Sequence, residues 1–173
     1  MIRWIFISAK WSALLGGVVL CAITVMSVMS IAGRAMVPIG LGPVPGDFEL
    51  VEVGIAVAVF AFLPWCHVQG GHATVDLLAG VMGPSLKKSI EAVCDILMAL
   101  LWLTLTWKMW DGMVEKMEQM ETSFILQIPV WWAFAICLAG AFIGCLTYLA
   151  KAAIALGLAN WPEGFGMSVS GGH

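Results

Sequence analysis

Charge is what this chain has least of. Only 11% of its 173 residues are Asp, Glu, Lys or Arg, where soluble domains carry roughly a quarter. With 61% hydrophobic residues, that scarcity argues against a soluble domain and places the chain in a membrane. Basic charge is scarcer than acidic, eight Lys and Arg against eleven Asp and Glu. There is no basic footprint for nucleic acid, and no nucleic-acid partner is expected. The five cysteines, Cys21, Cys66, Cys94, Cys137 and Cys145, form no C-x-x-C pair. Four of them fall inside apolar stretches and read as small hydrophobes rather than redox groups. There is no nucleophile elbow, no glycine-rich phosphate loop and no HExxH, so the chain is not read as an enzyme and no cofactor is expected. No internal repeat is visible.

What is present is a set of long uncharged runs. A helix of about 20 apolar residues crosses a hydrocarbon core of about 30 Å. Between Lys10 and Arg34 lie 23 uncharged residues, long enough for a first span at about 11–34 and too long for the apolar part of a cleaved signal peptide. The breaker-rich stretch 38–46, "PIGLGPVPG", reads as a loop. A second span is expected at about 48–66, a third at about 88–110 and a fourth at about 127–150. The predicted fold is therefore an all-α integral membrane protein with four transmembrane helices and short interfacial segments. Residues 1–155 form one membrane domain, and 156–173 a flexible polar tail.

Lys and Arg mark the cytoplasmic side of a membrane protein. The termini and the 67–88 connection hold Arg3, Lys10, Lys87, Lys88 and Lys151, whereas the opposite side holds Arg34, Lys108 and Lys116. That balance predicts both termini in the cytoplasm. Tryptophans near the span ends (Trp11, Trp65, Trp107, Trp110, Trp131, Trp132) read as an interfacial belt.

Three polar groups call for a reading. The stretch "WCHVQGGHATVD", 65–76, holds His67, His72 and Asp76 around a glycine pair. A metal needs three or four ligands in fixed geometry, and haem needs two histidines facing each other across a bundle. Histidines five residues apart across a Gly70–Gly71 turn supply neither. The preferred reading is a turn at the membrane surface, with His72 and Asp76, four apart, bonding each other or nearby backbone. The second group is Arg34, Asp47, Glu49 and Glu52, at the far ends of spans one and two. A charge pair with Arg34 that locks the two spans is preferred over an ion-translocating site, because a translocating carboxylate sits nearer the midplane. The third is Asp95, the deepest acid, expected to pair with Lys10, Lys88 or the histidines of the 67–72 turn. Finally, "KMWDGMVEKMEQME", 108–121, carries Met109, Met113, Met117 and Met120 on one face and charge on the other. It reads as an amphipathic extension of span three and a candidate docking surface for a partner outside the cytoplasm. With polar groups at the rims and no central site, the chain looks like a helper subunit. No catalytic, substrate-binding or metal residue is assigned. The seven residues Arg34, Asp47, Glu49, Glu52, His72, Asp76 and Asp95 are candidates for structural or subunit-interface roles. A small four-helix haem protein and an autonomous small dimeric transporter are the alternatives.

Four short motifs, in order, resemble one family. Arg34 closes span one. "PVPGDFELVE", 43–52, leads into span two. "GGHATVDLL", 70–78, is similar to a Gly-His-x-x-Val-Asp-Leu turn. "TSFILQIPVWW", 122–132, leads into span four. Over roughly residues 15–150 the chain resembles the small membrane (DctQ-like) subunit of tripartite ATP-independent periplasmic, or TRAP, transporters. It departs from that pattern at Ala35, where tyrosine is usual, and at Gln69, where a basic residue is usual. The resemblance implies a multi-pass protein of the bacterial inner membrane that binds no substrate. It implies a sodium-coupled importer in which a periplasmic binding protein captures substrate and a large membrane subunit carries it. The small subunit would brace the large one in the lipid.

Overall fold

A computed structural model describes residues 2–69 and 84–158, with backbone alone at 84–88 and 91. The predicted turn residues His72 and Asp76, and all but the first three residues of the predicted tail, lie outside the described residues. Four helices follow one another: α1 (Ile2–Ala35), α2 (Asp47–Val68), α3 (Pro84–Glu118) and α4 (Trp131–Ala155), with one short 3-10 turn at Val37–Ile39. All four are long and apolar enough to cross a membrane, and there is no strand among the described residues beyond one isolated bridge between Thr122 and Pro129. The all-α, four-span expectation is met.

Several helix ends differ from the expected span limits, and two of the differences have a tertiary reason. The helix α1 is described from Ile2, and Phe6 is buried against Val68 of α2 and Ala150 of α4, which gives its first turns a packing partner. The helix α3 runs on to Glu118, so most of the 108–121 segment is the helical extension of span three that the sequence predicts. The helix α4 starts only at Trp131, because 127–130 are occupied as one arm of a small hairpin. There Ser123 N–H donates to Ile128 O (2.9 Å) and Val130 N–H to Glu121 O (3.0 Å), and Gln127 holds a left-handed φ of 54°.

The helices pack in the order α1, α2, α4, α3. The helix α4 meets all three others, and among the described residues α3 comes backbone-close to α4 alone. Small residues permit this. In lipid there is little hydrophobic drive between helices, so close backbone approach carries the association. Ala9, Ser12, Ala13 and Gly16 of α1 are buried, and Gly16 lies against Ala58 and Ala61 of α2; a β-carbon added at Gly16 would lie 2.9 Å from that of Ala61. On α4, Gly140 and Gly144 are one turn apart. A β-carbon at Gly140 would press on the Phe60 carbonyl of α2 at 3.1 Å, and one at Gly144 would meet the Trp102 indole of α3 at 2.3 Å. Pro64, inside α2, has no N–H to give that same Phe60 carbonyl four residues back. The Cα–H of Gly140 points into the space, a weak but favourable contact.

Candidate functional site

Polar chemistry gathers at the two ends of the bundle. The end that carries the start of α1 and the end of α4 holds a three-helix cluster. His67, in the last turn of α2, is 2% exposed. Its imidazole stacks on the Tyr148 ring of α4 (centroids 4.0 Å, planes 16° apart), and Tyr148 stacks in turn on Trp102 of α3 (4.9 Å, 18°). Trp102 anchors the column by donating its indole N–H to Ala141 O at 2.7 Å. At the edge of the imidazole, Asp95 Oδ1 lies 3.6 Å from His67 Nε2 and 3.5 Å from Lys151 Nζ. Lys151 also donates to His67 O at 2.9 Å. That carbonyl belongs to the last turn of α2, where carbonyls have no intrahelical donor, so the ammonium of α4 caps α2 and meets the negative end of its dipole. An acid and a base in an apolar bundle are each expensive alone and tolerable only as a hydrogen-bonded pair. One carboxylate thereby ties α3 to both α2 and α4.

Of the partners predicted for Asp95, the structure brings up His67. Lys10 is exposed on α1, and the Lys88 side chain lies outside the described residues. The second partner, Lys151, was read in the sequence only as a charge marking a span end. The signal that could have found it was a lone lysine one turn after Tyr148, on the face that carries the small and aromatic residues of α4.

At the far end, the predicted Arg34 group separates into three. Arg34 reaches Asp47 at 3.1 Å and lies over the Phe48 ring at 5.7 Å. Asp47 also accepts a short hydrogen bond from Ser30 Oγ, which in turn accepts from Val44 N–H, and it takes the Phe48 N–H at 2.9 Å. So Asp47, at the start of α2, ties that helix to the end of α1. Glu49 goes elsewhere. Its carboxylate accepts Ile125 N–H at 2.7 Å and Leu126 N–H at 3.0 Å, gripping the tip of the 121–130 hairpin, while Leu126 packs over Gly46. Glu52 joins neither arrangement. It is exposed and makes no hydrogen bond or ion pair with a described residue. The reason is helical phase: Gly54, two residues on, faces Ile23 of α1, so position 52 sits about half a turn round from that face. A lock that includes Glu52 is corrected on this ground.

Between these ends the bundle is filled by Ala58, Ala61, Trp102, Cys137, Leu138 and Ala141, all buried. Buried Ser12 donates from α1 to Ala61 O of α2 at 3.3 Å, and Thr106 and Thr147 bond carbonyls of their own helices. Among the described residues no three His, Cys, Asp or Glu side chains converge as a metal would require. Of the predicted methionine stripe, Met109 and Met113 are half-buried and Met117 and Met120 exposed. The arrangement joins helices and, across its middle, packs apolar groups together.

The family model described as "Tripartite ATP-independent periplasmic transporters, DctQ component" matches residues 20–157, well over half of the chain. No curated protein and no solved structure matches it.

Proposed function

Because the chain belongs to the DctQ component family of tripartite ATP-independent periplasmic transporters, and so is a small multi-pass membrane component of such a transporter, we propose that it serves as a non-catalytic scaffold for the large membrane subunit. In this reading the transporter is a sodium-coupled solute importer of the bacterial inner membrane, fed by a periplasmic binding protein, and both termini of this chain face the cytoplasm. The observation that carries the proposal is where the polar groups go. At the two ends of the bundle they tie helix to helix: Asp95, His67 and Lys151 at one end, Ser30 and Asp47 at the other. A brace requires that use, and a substrate pathway would need such groups facing an open cavity near the midplane. The long apolar flank of α1, with Leu15, Val18, Val25, Val28, Met29 and Ile31 all more than half exposed, suits contact with lipid and with a large membrane neighbour.

The test is reconstitution. The chain alone, the large subunit alone, and both together are placed in vesicles with the binding protein and an inward sodium gradient. Uptake that needs both membrane chains, with the two co-purifying, is the expected result. Uptake by this chain alone, or full uptake without it, would overturn the scaffold reading.

A further inference from the structure

The second half of α3 carries charge at a depth where its neighbours stay apolar. The pairings between helices set the levels. Asp95 lies beside Lys151 and His67, Trp102 bonds Ala141, and Gly112 lies against the Phe134 ring, so α3 runs antiparallel to α4 along its length. On α2, His67 is level with Asp95, and Asp47 is 20 residues away, about 30 Å along the axis, the thickness of a hydrocarbon core. Lys108 is only 13 residues beyond Asp95, about 20 Å. It therefore sits roughly 10 Å short of the far boundary that α2 defines, and Asp111 roughly 6 Å short. At that level the other helices expose Val25, Ile55 and Ile136, side chains suited to lipid. Lys108 and Asp111 thus stand beside the bundle, while Glu115, 20 residues beyond Asp95, is level with Asp47 and Glu118 lies roughly 4 Å past it.

The charged positions are spaced as one face. Lys108, Asp111, Glu115 and Glu118 recur at intervals of three and four and are all exposed, while the half-buried Met109 and Met113 turn toward the bundle. The pair Lys108–Asp111 is 3.4 Å apart, with the two side chains 74% and 49% exposed. An ammonium has three donors and a carboxylate about four acceptor sites, so one mutual contact leaves most of them open. Lysine can snorkel toward the surface; the shorter aspartate reaches far less. Acyl chains offer no partner for the rest, and a soluble protein would stop at the boundary.

We infer that the Lys108–Asp111–Glu115–Glu118 face of α3 is the contact that a polar surface of the large subunit covers, a surface embedded in the membrane where it meets Lys108 and Asp111 and continuing to the boundary at Glu115 and Glu118. This rests on the scaffold reading above and adds to it which helix meets the partner and through what chemistry. The test uses the full transporter in cell membranes, with photoreactive p-benzoylphenylalanine placed singly at positions 108, 111 and 115, and at Val18 and Val25 of α1 as controls. Cross-links to the large subunit, identified by mass spectrometry, are expected from the α3 positions. A second measurement uses the double variant Lys108→Leu, Asp111→Leu, whose fold is verified by monodisperse elution. Its retention on the large subunit is expected to fall about tenfold. Full retention, with cross-links from α1 alone or to lipid or a second copy of this chain, overturns the α3 assignment while the scaffold reading stands. Absence of any co-purification in the unsubstituted complex overturns the scaffold reading itself.

Discussion

Replacing Lys151 by methionine asks most directly what the three-helix cluster does. The ammonium lies 3.5 Å from Asp95 Oδ1. At an effective dielectric of about 20, that separation corresponds to about 5 kcal/mol of attraction. Bringing both charges out of water offsets much of this, which is why removing a buried pair altogether is often close to neutral, whereas removing one partner costs about 3–5 kcal/mol. The side chains are 11% and 16% exposed, so the lower part of that range is expected, about 3 kcal/mol. Methionine keeps the length and packing of lysine but takes the ammonium away from Asp95 and leaves the His67 carbonyl without its 2.9 Å donor. Asp95→Asn should cost a similar amount. The double variant should cost clearly less than the sum of the two, a coupling of about 1–3 kcal/mol. The assay is thermal unfolding in detergent, in which about 3 kcal/mol appears as a drop of roughly 6–12 °C for a chain of this size. Because among the described residues α3 comes backbone-close to α4 alone, hydrogen exchange should rise first in α3. If each single variant shifts the midpoint by less than about 2 °C and the double is merely additive, the cluster does not hold the helices and the reasoning fails.

Other outcomes follow from the same contacts. Glu49→Gln should speed hydrogen exchange at the Ile125 and Leu126 amides on the order of tenfold, with little change in the helix centres; unchanged exchange at those two amides would show that the hairpin holds its shape without the carboxylate. Gly144→Ala should destabilise the chain by about 1–3 kcal/mol by driving a methyl group into the Trp102 indole, whereas Gly17→Ala, with nothing within 4 Å of the new carbon, should be neutral or stabilising by up to about 1 kcal/mol; thermal unfolding compares the two. Arg34→Glu should weaken assembly of the transporter and Asp47→Arg in the same chain should partly restore it, while Glu52→Lys leaves co-purification unchanged; equal damage from the Glu52 change would contradict its placement away from α1.

Much of this protein was legible along the chain, for reasons that are local. An uncharged run of about 20 residues has one stable form in lipid, a helix, because its backbone groups can find partners only within the segment. The count and rough position of the four helices follow from that alone, and four short motifs in sequence order were enough to point to the family. The pairing of Arg34 with an acid at the start of α2 was also readable, since only a short loop separates them. The phase of Glu52 was not, because it depends on which side of α2 meets α1. That in turn rests on where Gly16 and Gly54 admit a neighbouring backbone.

The remaining contacts are long-range, and only the tertiary structure decided them. Asp95 and Lys151 are 56 residues apart, and neither carries a local mark of its partner; they meet because Gly140 and Gly144 let α4 settle against α2 and α3 at once. Glu49 binds backbone amides 76 and 77 residues away, and an amide has no side-chain identity for a sequence to announce. The depth of Lys108 likewise emerges from Gly112 resting on Phe134. Hydrophobic run length determines that segments enter the membrane, since that free energy is summed along each segment separately. Which faces then meet, and at what level, is set by close packing of small residues on different helices, a property of pairs that no single segment contains.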